Sequence, residues 1–139
     1  MESSGTLKLV IVTTEGEIFR GDGITEVTLP SHDGYMGILP DHSPFIVKLS
    51  TGMVSWKSKS NFEYSAISGG YAEILPDKVI ILADVGEIAQ DIDFDRAEDA
   101  KSRAESRLDG SATGDWSVER ARAALARSLN RLSVVAKLK

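Results

Sequence analysis

Apolar positions change their rhythm once along this chain. As far as residue 86 they come in short β-branched or aromatic runs: LKLVIV (7–12), EIF (17–19), ITEVTL (24–29), FIVKL (45–49), MVSW (53–56), FEYSAI (62–67), YAEIL (71–75) and KVIILA (78–83). Turn formers such as Glu15-Gly16, Gly21-Asp22-Gly23 and Pro76-Asp77 separate them. Runs of this kind read as strands, and about eight at this spacing predict a sandwich or barrel. Ile24, Val27 and Leu29 depart from strict alternation, which predicts a bulge or an irregular strand start. Residues 30–44, PSHDGYMGILPDHSP, follow neither period and read as the longest connection.

Beyond that point the period becomes helical. Asp93 is placed to cap FDRAEDAKSRAESRL, with Ile92 and Ala97 spaced as a hydrophobic staple. DGSATG (109–114) reads as a connection, and a second helix starts near Ser117 and runs towards Lys139. Two helices joined by one short loop predict an antiparallel hairpin. The first helix carries an apolar stripe of Ala97, Ala100, Ala104 and Leu108. In the second, Val118, Ala121, Leu125, Leu129, Leu132 and Ala136 are expected to pack, roughly opposite Arg127 and Arg131. Alanine buries far less apolar surface than leucine, so the first helix is expected to dock weakly.

Composition divides at the same place. All four prolines lie at or before Pro76, and ten of the twelve glycines at or before Gly86. Acidic residues outnumber basic ones in the first part, whereas the two signs balance in the second, which holds every arginine except Arg20. The predicted organisation is therefore a β-domain over residues 1–86 and a helical hairpin over 87–139. A net charge of −5 argues against nucleic acid as the main partner. There are no cysteines, and the two histidines, His32 and His42, form no metal-ligand cluster in the sequence. The first residues, MESSGTLKLVIVTTEGE, do not read as a secretory signal. A nucleophile, base and orienter set is missing too, so the expectation is a protein that is not an enzyme.

Arg96, Arg103 and Arg107 are spaced i, i+7, i+11, and so are Arg120, Arg127 and Arg131, which aligns each set along one helix. Two readings compete. The stripes are solvated faces paired with Asp95, Glu98, Asp99 or Glu119, or they hold a polyanion. Gly69-Gly70 reads as a bulge or a close backbone approach, since no helix follows it to make a phosphate loop.

The order of GYMGILPDHSP (34–44), Ser68-Gly69-Gly70, PDKV through Ala83 and IDFDRA (92–97), followed by a hairpin, resembles the epsilon subunit of F-type ATP synthases (delta in mitochondrial naming) over nearly the whole chain. The resemblance implies an N-terminal β-sandwich of about ten strands followed by a C-terminal antiparallel two-helix hairpin. It implies a non-catalytic central-stalk subunit that docks on the gamma subunit and the c-ring and helps couple ion flow to ATP synthesis. The hairpin, when extended towards the alpha and beta catalytic subunits, would inhibit ATP hydrolysis. IDFDRA fits the family's I/L-D-x-x-R-A pattern for ATP, so the resemblance implies a nucleotide site of Glu87, Ile92, Asp93, Arg96, Arg103, Arg127 and Arg131. ATP, with or without magnesium, would be a regulatory ligand rather than a required cofactor. Tyr35, Met36 and His42 are the implied partner interface, although the family often has an acid or amide where Tyr35 stands. The implied location is peripheral, on the cytoplasmic face of a bacterial plasma membrane, with an organellar inner membrane second. The alternative from another class is a free-standing β-sandwich protein-binding module with a helical appendage and no nucleotide role.

Overall fold

The computed structural model describes residues 5–112, 114 and 116–139. It forms two compact units, one ending at Ile88 and the other running from Ala89 to Lys139. Thr113, within the expected connection, and residues 1–4, within the segment read as no secretory signal, lie outside the described residues.

The first unit contains seven strands: β1 (Leu7–Thr13), β2 (Gly16–Ser31), β3 (Gly34–Ile38), β4 (Phe45–Lys48), β5 (Gly52–Ser58), β6 (Asn61–Leu75) and β7 (Lys78–Ile88). Hydrogen-bonded neighbours follow the order β1-β7-β6-β5-β2-β3, β1 also pairs with β2, and β4 pairs with β6. The β1–β7 pair is parallel, while the other pairings are antiparallel. Three strands are long because each serves two layers. β6 pairs with β5 through residues 61–67 and with β4 through residues 71–74. β2 pairs with β1 over 16–24 and with β3 and β5 over 24–31. β7 turns from β1 to run on beside the first half of β6. The expected count of about ten strands is corrected to seven, because these three run on and change partners along their length.

Three expectations change in detail. EIF and ITEVTL are one strand, β2, and FEYSAI and YAEIL are likewise one, β6, because glycines bend the chain without ending its pairing. The stretch 30–44 is not a plain connection. It contains β3, whose Gly34-Tyr35-Met36-Gly37-Ile38 pairs with Val27–Ser31 despite its glycines, since an edge strand needs ladder bonds on one side alone. The irregularity foreseen around Ile24 is present as a register shift between Ile24 and Glu26.

Gly69-Gly70 is the corner of β6. Both have positive φ, +74° and +105°, and a Cβ on Gly70 would lie 2.0 Å from the Leu82 carbonyl oxygen. The pairing register is the same on either side of the corner, Ser68 with Val85 and Gly70 with Ala83, so the pair marks a close backbone approach rather than an inserted residue. Between the layers, Leu9, Ile11, Val27, Leu29, Ile38, Val54, Ile74 and Ile81 are fully buried around Trp56, whose ring lies 4.6 Å from that of Phe19.

In the second unit a short 3₁₀ turn, Ala89–Asp91, precedes α1 (Phe94–Leu108) and α2 (Val118–Ala136). The predicted caps are in place. The Asp93 carboxylate accepts the Arg96 N–H at 3.0 Å and the Ser117 hydroxyl oxygen accepts the Arg120 N–H at 3.3 Å. Ile92 and Ala97, the staple positions, are both buried. Ala97 and Ala104 are buried on α1, as its stripe predicts. The α2 stripe is corrected in part: Ala121 is buried and Leu125 and Leu132 are half-buried, as it predicts, whereas Val118, Leu129 and Ala136 are exposed and Ser128 and Val134, outside it, are buried. Ser128 tolerates burial because its hydroxyl donates to the Ala124 carbonyl at 2.9 Å.

Candidate functional site

The hairpin positions its arginines by helix geometry. At about 100° per residue, Arg96, Arg103 and Arg107 lie roughly a quarter-turn to one side of the buried Ala97–Ala104 line. Arg120, Arg127 and Arg131 lie the same quarter-turn, in the same sense, from the buried Ala121–Ser128 line. Two antiparallel helices that pack through equivalent faces are related by a rotation about an axis perpendicular to both. A rotation preserves the sense of an angular offset. Both stripes therefore lie on one side of the hairpin. This overturns the placement of the α2 arginines opposite the packed face: Arg127 and Arg131 flank it and are half-buried.

Arg96, Arg103 and Arg120 are exposed. Among the described residues, the side chains of Arg96, Arg103, Arg120 and Arg127 make no ion pair with Asp95, Glu98, Asp99 or Glu119. These four arginines therefore do not adopt the pairing with those acids. Arg107 has a different neighbour, since its guanidinium carbon lies 4.8 Å from the centre of the Trp116 indole. No pattern in the sequence pairs these two, because Trp116 lies beyond the connection and outside both stripes.

Other nucleotide-site candidates are placed as follows. Ile92 is buried and Asp93 exposed at the α1 start, where one oxygen of its carboxylate is already engaged by the cap. Glu87 belongs to the first unit, on β7 opposite Ala66, with its backbone carbonyl accepting the Ser65 hydroxyl at 2.8 Å.

The candidate interface residues lie in and after β3. Tyr35 is 62% exposed, and its hydroxyl oxygen accepts the Met53 N–H at 3.0 Å. Met36, by contrast, is half-buried against the core. The His42 ring lies 5.0 Å from that of Phe45, tilted by 38°, and its Nδ1 lies 2.9 Å from the Ser43 carbonyl oxygen. The neighbouring Asp41, at φ 67°, donates its N–H to the Pro76 carbonyl, which anchors this loop to the β6–β7 turn. Exposed Leu39 and Ile46 accompany Tyr35 on this unit and were not singled out by the sequence pattern. Among the described residues no group of three or more His, Asp or Glu is placed to hold a metal ion, and no helix is long and apolar enough to cross a membrane.

Comparison with known proteins covers both units. Residues 6–89 match the family described as "ATP synthase, Delta/Epsilon chain, beta-sandwich domain", and residues 90–136 match "ATP synthase, Delta/Epsilon chain, long alpha-helix domain". The chain is 40% identical over 129 residues to the ATP synthase epsilon chain of Halalkalibacterium halodurans, covering 93% of this chain and 96% of that one. It is 43% identical, with the same coverage, to the ATP synthase epsilon chain of Bacillus velezensis. Its fold is similar to a chain in the structure of Euglena gracilis mitochondrial ATP synthase (OSCP, F1 and c-ring), with a TM-score of 0.67 at 18% identity, covering 99% of this chain and 82% of that chain. A chain in the central stalk and c-ring of Tetrahymena thermophila mitochondrial ATP synthase is also similar, with a TM-score of 0.55 at 15% identity and 95% coverage of each. With both units matched in order, and bacterial relatives at this identity along nearly their full length, the chain belongs to the ATP synthase delta/epsilon family.

Proposed function

We propose that this chain is a non-catalytic central-stalk subunit of an F-type ATP synthase. Its β-sandwich docks on the gamma subunit and the c-ring, with Tyr35, Met36 and His42 at the contact. It is peripheral to the membrane, on the cytoplasmic side of a bacterial cell. Its hairpin is regulatory: compact, it binds ATP; extended towards the alpha and beta subunits, it restrains ATP hydrolysis.

The observation that carries the regulatory part is the gathering of two arginine stripes on one side of a hairpin held together by alanines. Like charges on one face repel, and the contact between alanine faces contributes little to oppose that. A triphosphate bridging Arg96, Arg103, Arg127 and Arg131 replaces repulsion with charge-assisted hydrogen bonds to both helices at once. Ile92 and Asp93, at the start of α1, would contact the base. A ligand that binds the compact form alone, at about 100 times its dissociation constant, stabilises that form by roughly 2.7 kcal/mol. This is enough to shift a weakly docked pair of helices strongly.

The test is hydrolysis by the assembled enzyme with the full chain and with residues 88–139 removed. Removal is expected to raise hydrolysis, most of all at low ATP, where the hairpin is least held in its compact form. Unchanged hydrolysis across the ATP range would end the regulatory reading. Failure of the shortened chain to assemble would instead place the docking determinants outside the sandwich.

A further inference from the structure

Strand β3 ends the sheet, and its register shows which of its main-chain groups are left unused. Tyr35 stands opposite Pro30, and Gly37 opposite Thr28. The Pro30 carbonyl accepts the Ser50 N–H at 3.0 Å, so Pro30 directs its main chain away from β3, towards the segment that leads into β5. In an antiparallel pair, the residue opposite such a position also turns its N–H and C=O away from its partner, and the pattern repeats every second residue. Gly34, Met36 and Ile38 therefore serve β2. Tyr35 and Gly37 present two N–H and two C=O groups, about 7 Å apart along the strand, to the open edge. No described residue bonds to these groups.

Proteins commonly guard such an edge with charge, proline or a cover. β4, the other strand paired on one side alone, follows Pro44 and ends in exposed Lys48. Nothing comparable stands on β3, which reads Gly34-Tyr35-Met36-Gly37-Ile38. Tyr35, Gly37 and, just beyond, Leu39 are exposed, and no atom lies within 4 Å of where a Gly37 Cβ would be. The edge is also held in place. At one end the Tyr35 hydroxyl oxygen accepts the Met53 N–H, and beyond the other the Asp41 N–H donates to the Pro76 carbonyl. On the inner face Met36 packs on the core but is only half-buried, so the layer stops one strand short of covering it.

We propose that the β3 edge docks by main-chain pairing: an extended segment of the rotor partner adds to the sheet beside β3 and bonds the N–H and C=O groups of Tyr35 and Gly37. The proposal rests on the sandwich docking on the rotor, and it lies within the contact of Tyr35, Met36 and His42. The segment carries an apolar side chain where it passes Met36, which continues the inner layer. It carries basic residues at its ends, because exposed Asp33 and Asp41 flank β3 and make no ion pair among the described residues. A second copy of this chain fits less well, since acids outnumber bases in each sandwich and the two would repel.

The experiment compares Gly37→Pro with Gly37→Ala in the full-length chain, by affinity for a rotor of gamma subunit and c-ring prepared without this chain. Both variants add carbon at the same open place, and only proline removes the N–H. Gly37→Pro is expected to bind at least tenfold more weakly than Gly37→Ala. Its fold is expected to survive, because that N–H has no partner inside the chain, whereas Met36→Pro, which removes an N–H given to β2, is expected to lose cooperative unfolding. If Gly37→Pro is folded and binds as tightly as Gly37→Ala, main-chain docking is overturned while docking of the wild type on the rotor stands. If the wild type does not bind the rotor, the docking reading fails and this proposal with it. Residue-resolved hydrogen exchange needs no substitution and decides the matter if Gly37→Pro does not fold. The Tyr35 and Gly37 amides are expected to exchange freely in the isolated chain and to slow at least tenfold on the rotor, with Met36 and Ile38 protected in both; unchanged exchange at the two edge amides overturns the pairing. If sedimentation shows that the isolated chain dimerises, and Gly37→Pro abolishes the dimer alone, the occupant is a second copy and the proposal is overturned. Asp33→Asn combined with Asp41→Asn is expected to weaken rotor binding severalfold and to flatten its dependence on salt, and wild-type affinity and slope would overturn the basic segment.

Discussion

The Tyr35 hydroxyl oxygen accepts the Met53 backbone N–H at 3.0 Å, joining the edge strand β3 to the start of β5 across the strand between them. Gly52 makes that reach possible, because a Cβ there would lie 2.6 Å from Pro30 Cβ and 2.7 Å from the Tyr35 hydroxyl oxygen. The two residues are therefore expected to respond differently. Tyr35→Phe loses one exposed hydrogen bond that water replaces in part, at a cost of about 0.5–1 kcal/mol. Gly52→Ala must displace a proline fixed in β2 as well as break that bond, and is expected to cost about 1–3 kcal/mol. Urea midpoints compared at constant slope measure both, and a Gly52→Ala chain as stable as Tyr35→Phe would contradict the packing described.

The β6 corner gives a sharper expectation. Gly70→Ala would place a Cβ 2.0 Å from the Leu82 carbonyl oxygen at φ +105°, so neither the backbone nor its neighbour can accept it without breaking the β6–β7 pairing. A loss of more than about 4 kcal/mol is expected, enough to abolish cooperative unfolding of a marginal domain. Gly23→Ala is the control. It too has positive φ, +71°, but nothing lies within 4 Å of the added Cβ, so its cost is the local conformational one of about 1–2 kcal/mol.

The same corner shows what the sequence could and could not disclose. Gly69-Gly70 was legible as a special backbone position because strands flank it and no helix follows. That FEYSAI and YAEIL are one strand was not, since a glycine that ends a strand and one that bends it look alike until the partner strands are known. β3 has no strand signature of its own, because two of its five residues are glycine and its pairing comes from β2. On the helices the caps and arginine periodicity could be read directly, because both are local. The packed face of α2 could be read only in part. The apolar stripe rightly included Ala121, but Leu129 within it is exposed while Ser128 and Val134 outside it are buried, because which neighbouring positions are covered depends on the surface each meets and not on α2's own pattern.

That correction is testable on the hairpin itself. If Leu129 is exposed and Ser128 buried, Leu129→Glu changes stability by less than about 0.5 kcal/mol, whereas Ser128→Leu overpacks the contact with α1 and costs about 1–3 kcal/mol. The apolar pattern alone predicts the reverse order. Thermal melting of the helical signal in the full chain distinguishes the two.

The turn after α1 carries a titration signature. Hydrogen bonds from the Ser111 hydroxyl and from its backbone N–H, the latter 2.8 Å from Asp109 Oδ1, hold the Asp109 carboxyl below its ordinary pKa. A carboxyl depressed in the folded state contributes stability above its unfolded pKa, and that contribution is lost as pH falls through the folded value. The turn is thus expected to loosen only in acid, below about pH 4. Carbon-detected NMR titration of Asp109 should show the lowered value, and Ser111→Ala should raise it; an unchanged midpoint in Ser111→Ala would remove Ser111 as the cause.

The arginine face yields the most discriminating comparison, because α2 carries Arg122 on its other side. Arg122 lies about 100° from Ala121 in the sense opposite to that of the stripe, so it shares the charge and helix of Arg120 and Arg127, and the exposure of Arg120, but not their direction. A binding site built from direction should ignore it, whereas general attraction to a basic helix should not. Arg103→Ala and Arg127→Ala each remove hydrogen bonds to a charged group, about 1.5–3 kcal/mol, which converts to a roughly ten- to hundredfold loss of ATP affinity. Arg122→Ala is expected to stay within about twofold of wild type. Raising the salt concentration should weaken ATP binding to the wild type and to Arg122→Ala in parallel, since screening acts on the same phosphate contacts in both. Calorimetry at two salt concentrations gives all of these values. Equal losses in Arg103→Ala, Arg127→Ala and Arg122→Ala would mean that the nucleotide senses net charge alone, and that gathering the stripes on one side of the hairpin creates no site.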